Sequence, residues 1–343
     1  MVVPALTRAS AHKGSHGGKI IILGGSEVYV GAPYFAAAAA MRAGGDLVHV
    51  VTHAACVRTM KSYAPDVIVH EGWARDAATA AAATTTRDGE NTVVDGVLDI
   101  VRRYRIDAAV VGPGLDSGAG LECVEAMTRE LGTCVVDADA LKTLTPGRET
   151  KRRDGGDAPL ATPNKMELWR LVDKVLPEAF PGGVTTMDLR EEADRTEVAR
   201  ALREYRRFDF LVKGDDDYLF VPDRDEDDPS VFQSVVDRIN GASSSTSVLV
   251  VRLPCVGSPK RSGGQGDVLA GVLAVFLFWC RRASVDADPA PTDALLDRVA
   301  AVAAACRLVK LAARDAYANL GRGLIATDVI DRIPRVFMRE LEP

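Results

Sequence analysis

The chain of 343 residues reads as an α/β protein built on a parallel sheet covered by helices on both faces. Two observations carry this expectation. Apolar strand-like runs alternate with helix-like stretches in a βαβα rhythm from Lys19 to Asp137. Four of the runs end in glycine-rich turns, and the carboxyl ends of strands are where an open parallel sheet gathers its ligand-binding loops.

Taken in order, Lys19–Leu23 is a short buried strand running into Gly24-Gly25-Ser26, and Ala32–Ala43 is an Ala-rich helix. Asp46–Thr52 reads as strand, Ala55–Tyr63 as helix and Val67–His70 as strand. Thr92–Tyr104 places Val93, Val94, Val97, Leu98 and Val101 at i, i+3, i+4 spacing, a helix with one apolar face. Asp107–Val111 is a strand ending at Gly112-Pro113-Gly114, Leu121–Leu131 a helix, and Thr133–Val136 a strand ending at Asp137. After Asp139 the rhythm changes, with a basic and glycine-rich loop over Gly147–Pro159. Thr162-Pro163 holds the chain extended before a helix over Asn164–Val172, and a second helix is expected over Glu197–Arg207. Phe210–Lys213 and Tyr218–Val221 read as strands joined by a turn at Gly214–Asp217. The acidic run Asp223–Asp228 and the Ser/Thr run Ser243–Ser247 bracket a stretch, 223–247, that reads as a solvated, flexible insertion. Val248–Leu253 is a strand, and Asp267–Trp279 and Asp293–Ala313 are long apolar helices. With neither an internal repeat nor a dividing linker, residues 1–343 read as one domain.

Composition excludes several classes. Lys plus Arg is 42 against 48 Asp plus Glu, and a net charge of −6 without basic blocks argues against nucleic acid or an anionic membrane as partner. Thirty glycines against 6% aromatics favour backbone-lined pockets over stacking platforms. The most apolar run, Val268–Cys280, falls short of the roughly 20 residues of a membrane span. Met1–Gly18 lacks the apolar stretch of a secretory signal. The six dispersed cysteines read as reduced core residues of a cytoplasmic protein. Arg8, Lys13 and Lys19, with no acidic residue before Glu27, leave an organelle-targeting arm, such as a mitochondrial one, as the alternative. All five histidines lie in the first 70 residues. His49 and His53 sit on a strand without the Glu of a zinc-protease motif, so packing is expected of them in preference to metal ligation.

The chemistry concentrates at Gly263-Gly264-Gln265-Gly266-Asp267, which leads into an apolar helix. Small residues let backbone N–H groups approach an anion, and the helix start adds partial positive charge. An Asp inside such a hole is placed to take a proton from a hydroxyl attacking phosphate, or it merely caps the helix. Asn164 and Glu167, three apart at a helix start, could orient Mg²⁺ through water or form a capping box. Gly24–Glu27 reads equally as a strand-to-helix turn, and Lys213–Asp217 as a charged hairpin turn. No Walker-type phosphate loop is present, and Gly112–Ser117 lacks the third glycine of a dinucleotide fingerprint.

In order, these motifs resemble one family, the ATP-dependent (S)-NAD(P)H-hydrate dehydratases of the ribokinase-like superfamily. The resemblance runs from His12-Lys13-Gly14 through Gly24-Gly25-Ser26-Glu27, Gly31-Ala32-Pro33-Tyr34, Gly45–Val48 and Val111–Leu115. It continues through Asp137-Ala138-Asp139, Thr162–Leu168, Lys213-Gly214 and Gly257–Asp267. It implies a three-layer αβα sandwich around a mainly parallel sheet. It also implies that Gly114, Asn164, Lys165, Met166, Glu167, Leu168, Trp169, Arg170 and Asp267 contact the hydrated nicotinamide nucleotide. Lys213, Gly214, Asp215, Asp216 and Asp217, with Gly257, Ser258, Pro259, Lys260, Arg261, Ser262, Gly263, Gly264, Gln265 and Gly266, would hold ATP. Mg²⁺ is implied as cofactor and Asp267 as the catalytic base. The sequence departs from the family pattern at Val30, Ala140 and Ser262, none of them an implied catalytic group. In some relatives an epimerase domain is fused to the dehydratase. The length leaves no room for one here, so a separate epimerase is the expected functional partner, and a homo-oligomer the expected assembly. Two other readings remain at this level: a ribokinase-like kinase of a vitamin-precursor alcohol, and a non-catalytic nucleotide-binding protein.

Overall fold

The structure is a computed structural model, and it describes residues 16–73, 92–116, 118–147, 156–224, 229–240, 247–287 and 291–342. The N-terminal arm, His12-Lys13-Gly14, most of the basic loop after Gly147, Asp225–Asp228 and Ser243–Thr246 lie outside the described residues.

Nine strands form one sheet in the order β3-β2-β1-β4-β5-β6-β7-β8-β9. They are β1 (Lys19–Leu23), β2 (Leu47–His53), β3 (Val67–Trp73), β4 (Ala108–Val111), β5 (Cys134–Val136), β6 (Leu160–Ala161), β7 (Asp209–Val212), β8 (Asp217–Pro222) and β9 (Val248–Leu253). Every pairing from β3 through β7 is parallel, while β8 runs antiparallel to both β7 and β9. The expected mainly parallel sheet is therefore found. The two-residue β6 is the strand that the sequence pattern does not reveal.

Side chains alternate across the sheet, so each central strand feeds two cores. Ile20, Ile22, Val48, Val50, Val110 and Val135 face one, and Ile21, Leu23, Val51, Val111 and Val136 face the other. The first face is covered by α1 (Gly31–Arg42), α2 (Val57–Tyr63), α7 (Pro229–Asn240), α8 (Gln265–Ala287), α9 (Pro291–Leu320) and α10 (Ala326–Glu340). The second is covered by α3 (Val93–Tyr104), α4 (Ala119–Glu130), α5 (Lys165–Asp173) and α6 (Glu192–Leu202). This is the three-layer arrangement implied by the resemblance.

Three expectations need correction. The stretch 223–247 is not wholly solvated, because it contains α7, and Phe232, Val235 and Val236 of that helix are buried in the first core. The second helix after Asn164 begins at Glu192 and is followed by a 3₁₀ turn at Arg203–Tyr205, earlier than the apolar pattern indicated. The apolar run at Val268 belongs to a 23-residue helix, α8. Its first 21 residues, Gln265–Val285, reach the length and apolarity of a membrane span, but 72% of the most apolar window is buried inside the fold. Length alone therefore does not set this helix apart from a spanning one; its burial marks it as a core helix. Close packing explains its position. A Cβ on Gly271 would fall 2.1 Å from the Ala36 carbonyl oxygen, so α8 lies directly on the Ala-rich α1.

The cysteines follow expectation in part. Cys56, Cys123, Cys134, Cys280 and Cys306 are buried free thiols, whereas Cys255 is half-buried. His49 is buried, and its Nδ1 lies 2.9 Å from His70 Nε2 with the two rings parallel and Tyr104 packed against both. His53 accepts from the Ala55 N–H on Nδ1. Among the described residues no group of three or more His, Cys, Asp or Glu side chains is arranged to hold a metal ion.

Candidate active site

From β1 the chain steps through β2 to β3 and then places β4 on the opposite side of β1, which makes the β1/β4 boundary the topological switch point. The glycine turns after these two strands are joined there, with the Gly25 N–H donating to the Pro113 carbonyl at 2.9 Å. Gly114 has φ 66° and lies against Tyr29. The ends of β5, β6 and β7 follow on the same edge, carrying Asp137, Thr162–Asn164 and Lys213. Backbone pairing continues past the strands: Asn164 and Lys213 form a parallel bridge, and the Lys213 N–H donates to the Pro163 carbonyl at 2.9 Å.

Helix α8 starts on this edge. Gly264 turns the chain into it with φ 90°, and a Cβ there would meet the Phe35 ring at 2.6 Å, so both backbone conformation and space require glycine. The Val268 N–H donates to the Gly264 carbonyl, and Gln265 Nε2 donates to Ser262 Oγ at 3.0 Å. Asp267 stands in the first turn, beside unpaired helical N–H groups and the positive end of the helix dipole.

Below it is an ion pair. Lys213 Nζ lies 2.5 Å from Asp137 Oδ1, which also accepts from Thr162 Oγ1 at 2.7 Å. A Cβ on Gly266 would be 3.3 Å from Lys213 Nζ and 3.9 Å from Asp137 Oδ2, so the pair sits under the helix start. Burial pushes the Asp267 carboxyl up to about 8; Asp137, Asp139 and Glu167 add to the rise and Lys213 opposes it. Burial alone would lower the Lys213 ammonium, but Asp137 and Glu167 outweigh it and hold it above its ordinary value. Burial also raises Glu167.

The Asn164–Arg170 segment divides by face. Asn164 Oδ1 accepts from the Met166 and Glu167 N–H groups at 2.9 and 3.0 Å, and Glu167 Oε2 accepts from the Asn164 N–H at 2.8 Å. This is a capping box, so Asn164 Oδ1 and one Glu167 oxygen serve helix α5 and the pair offers no direct metal-ligand set. Lys165, Met166 and Arg170 are exposed, while Trp169 packs partly against the second core. Leu168 is fully buried there, which corrects its assignment as a substrate contact.

The two segments assigned to ATP lie side by side. Arg261 pairs with Asp215 at 2.7 Å, and Arg252 pairs with Asp216 at 2.5 Å. Asp217 is buried, accepts from the Gly214 N–H at 2.9 Å and pairs with Lys310 of α9 at 2.9 Å, so it closes the hairpin and faces inward. Lys310 also donates to the Asp215 carbonyl at 2.8 Å, and its side chain passes under Gly257. Ser258 Oγ accepts from the Lys260 N–H at 3.0 Å, and Lys260 Nζ donates to the Arg322 carbonyl. Sequence reasoning missed Lys310, which lies within an apolar helix. It also gave no role to Asp137 and Thr162, although both stand at strand ends.

The NAD(P)H-hydrate dehydratase family model matches residues 20–228 and 249–335. An ATP-dependent (S)-NAD(P)H-hydrate dehydratase of Ciona intestinalis is 32% identical over 99% of this chain and 79% of its own length. The enzyme of the same name from Drosophila melanogaster is 31% identical over 99% and 92%. Among solved structures, the ADP/ATP-dependent NAD(P)H-hydrate dehydratase of Bacillus subtilis, co-crystallised with ATP/Mg²⁺, superposes with a TM-score of 0.60 at 19% identity, covering 97% of this chain and 93% of the other. A ribokinase-like superfamily protein of Enterococcus faecalis superposes with a TM-score of 0.62 at 18% identity over 98% and 92%. The structural likenesses bear on the fold, and the sequence likenesses extend nearly end to end; on them, this chain belongs to the NAD(P)H-hydrate dehydratase family.

Proposed function

We propose that the protein restores NADH and NADPH from the S epimers of their 6-hydroxy hydrates, converting ATP to ADP and phosphate. The observation that carries the residue roles is the position of Asp267, at the start of α8 among the ends of β5, β6 and β7. Hydroxide is a poor leaving group, so the hydroxyl is phosphorylated first. The Asp267 carboxylate takes the hydroxyl proton as the oxygen attacks the γ-phosphorus and ADP departs. The N–H groups of the Gly263–Gly266 turn and the helix start stabilise charge on the transferring phosphoryl group. The C6–O bond then breaks with the pair leaving on phosphate. The ring nitrogen lone pair fills the deficit, and loss of a proton from the neighbouring carbon re-forms the dihydropyridine.

Nucleotide contacts are assigned to Lys213–Asp216 and Gly257–Gly266, and hydrate contacts to Gly114, the exposed side chains of Lys165, Met166 and Arg170, and Asp267. Mg²⁺ bound with the nucleotide would supply charge neutralisation on the phosphates. Asn164 and Glu167, held by their capping box, would reach such an ion through water. A separate epimerase supplies the S epimer, and the protein acts in the cytoplasm as a homo-oligomer.

Incubation with Mg-ATP and epimer-mixed NADH hydrate tests the proposal. Recovery of the dihydronicotinamide absorbance with release of free phosphate is expected. A stable phosphorylated alcohol, or no recovery, would overturn it.

A further inference from the structure

Asp267 shares its surroundings with three other carboxylates. Asp137 and Asp139, from the segment after β5, and Glu167, from α5, act on its charge. Asp139 is matched by Lys142 at 2.6 Å and also accepts from the Asp116 N–H at 2.9 Å. Glu167 accepts from the Asn164 N–H of its capping box, and Lys213 and Arg170 also act on its charge. From α1 the neighbour of the Gly264 turn is the uncharged Phe35 ring. Among the described residues, the leading cation acting on Asp267 is Lys213, at the end of β7.

The Lys213 ammonium is built into place. Its backbone is bonded to Pro163, its Nζ to Asp137, and Asp137 is held in turn by Thr162. The side chains of Lys213 and Asp137 are 19% and 2% exposed, so the pair acts through a poorly screened interior. Both partners reach the underside of Gly266, the residue preceding the base. A lysine that only gripped a nucleotide phosphate would need neither the buried acceptor nor its hydroxyl support.

We propose that Lys213, clamped by Asp137 and Thr162 beneath the Gly266 turn, is the positioning residue of the catalytic base, setting its ammonium against the like charges that crowd Asp267. This rests on the functional reading above, in which Asp267 is the base. Asp137 is the counterweight. It orients the ammonium and, by its own charge, keeps Asp267 basic enough to take the hydroxyl proton.

The test uses the full chain and two readouts. One is the midpoint of the Asp267 carboxyl titration by ¹³C NMR, which needs no turnover and so separates this inference from the activity. The other is the acid limb of kcat/KM against pH. Lys213→Met should move both midpoints upward by about one pH unit or more, the size of effect an opposite charge at close range exerts. Lys213→Arg should restore them. Asp137→Asn, which keeps the ammonium and removes a carboxylate, should move them downward. An unmoved midpoint in Lys213→Met, with only KM for ATP raised, would reduce Lys213 to a nucleotide contact and overturn the proposal. Should Lys213→Met not fold, Lys213→Gln decides: an upward shift supports the proposal, and an unmoved midpoint overturns it. Absence of hydrate turnover in the wild type would sink the functional reading while the NMR titration still judged the ion pair.

Discussion

Replacing Asp267 with asparagine keeps shape and removes both charge and basicity. With the carboxyl at about 8, roughly one free enzyme molecule in eleven carries the carboxylate at pH 7. The wild-type kcat/KM should therefore rise about tenfold between pH 6 and pH 7 and level off above pH 8, because that ratio follows ionisation of the free enzyme. The direction follows from the role, since a base works deprotonated and a raised midpoint moves its activity to higher pH. Asp267→Asn should lower kcat by about 10²–10⁴, or about 2.7–5.4 kcal/mol of barrier, the usual contribution of a positioned proton acceptor. ATP binding should persist, because the glycine turn and the helix start are unchanged. The assay is recovery of dihydronicotinamide absorbance under Mg-ATP across a pH series, with nucleotide affinity measured separately by calorimetry. Normal turnover in Asp267→Asn would remove the base assignment. A flat wild-type profile from pH 6 to 8 would refute the argument that burial among carboxylates sets the ionisation.

Three further outcomes follow from particular contacts. Lys310→Met should raise KM for ATP several-fold while changing kcat little, because Lys310 ties the Asp215–Asp217 turn to the Gly257 loop without reaching the base; steady-state kinetics with varied ATP checks this. Arg298→Met should cost about 3–5 kcal/mol in urea unfolding, because it strips one of two guanidiniums from buried Asp209. Burial alone would raise the Asp209 carboxyl, but Arg224 and Arg298 outweigh it and hold it below its ordinary 3.8, so this stabilisation is complete above that value and lost as pH falls through the lower one. Burial, then His70 and Lys19, lower His49 from 6.5 to about 4. The fold thus prefers neutral imidazole: stability is full above pH 6.5 and declines toward pH 4, and thermal melts of His49→Gln should show a shallower decline than wild type over that window.

The site was legible wherever a local pattern carries its own physics. Gly263–Asp267 reads as small residues running into a helix start, and α8 does begin there. The capping box at Asn164 and Glu167 was legible for the same reason, since both partners are three residues apart. The parallel sheet followed from the βαβα rhythm up to Asp137. The reading weakened where segments are short or polar. β6 spans two residues and owes its place to flanking strands, and α7 hides core contacts such as Phe232, Val235 and Val236 between acidic and serine-rich runs.

The sequence by itself determined the fold class, the glycine turns and the identity of the acidic residue at the start of α8, because each depends on neighbours within a few positions. Only the tertiary structure decided what surrounds that residue. Asp137, Thr162 and Lys213 come from three separate strand ends, up to 76 residues apart in the chain, and parallel pairing brings them under one helix turn. Lys310 meets Asp215 across 95 residues. The ionisation of Asp267 belongs to that second level, because it is set by burial and by charges that no stretch of sequence contains together.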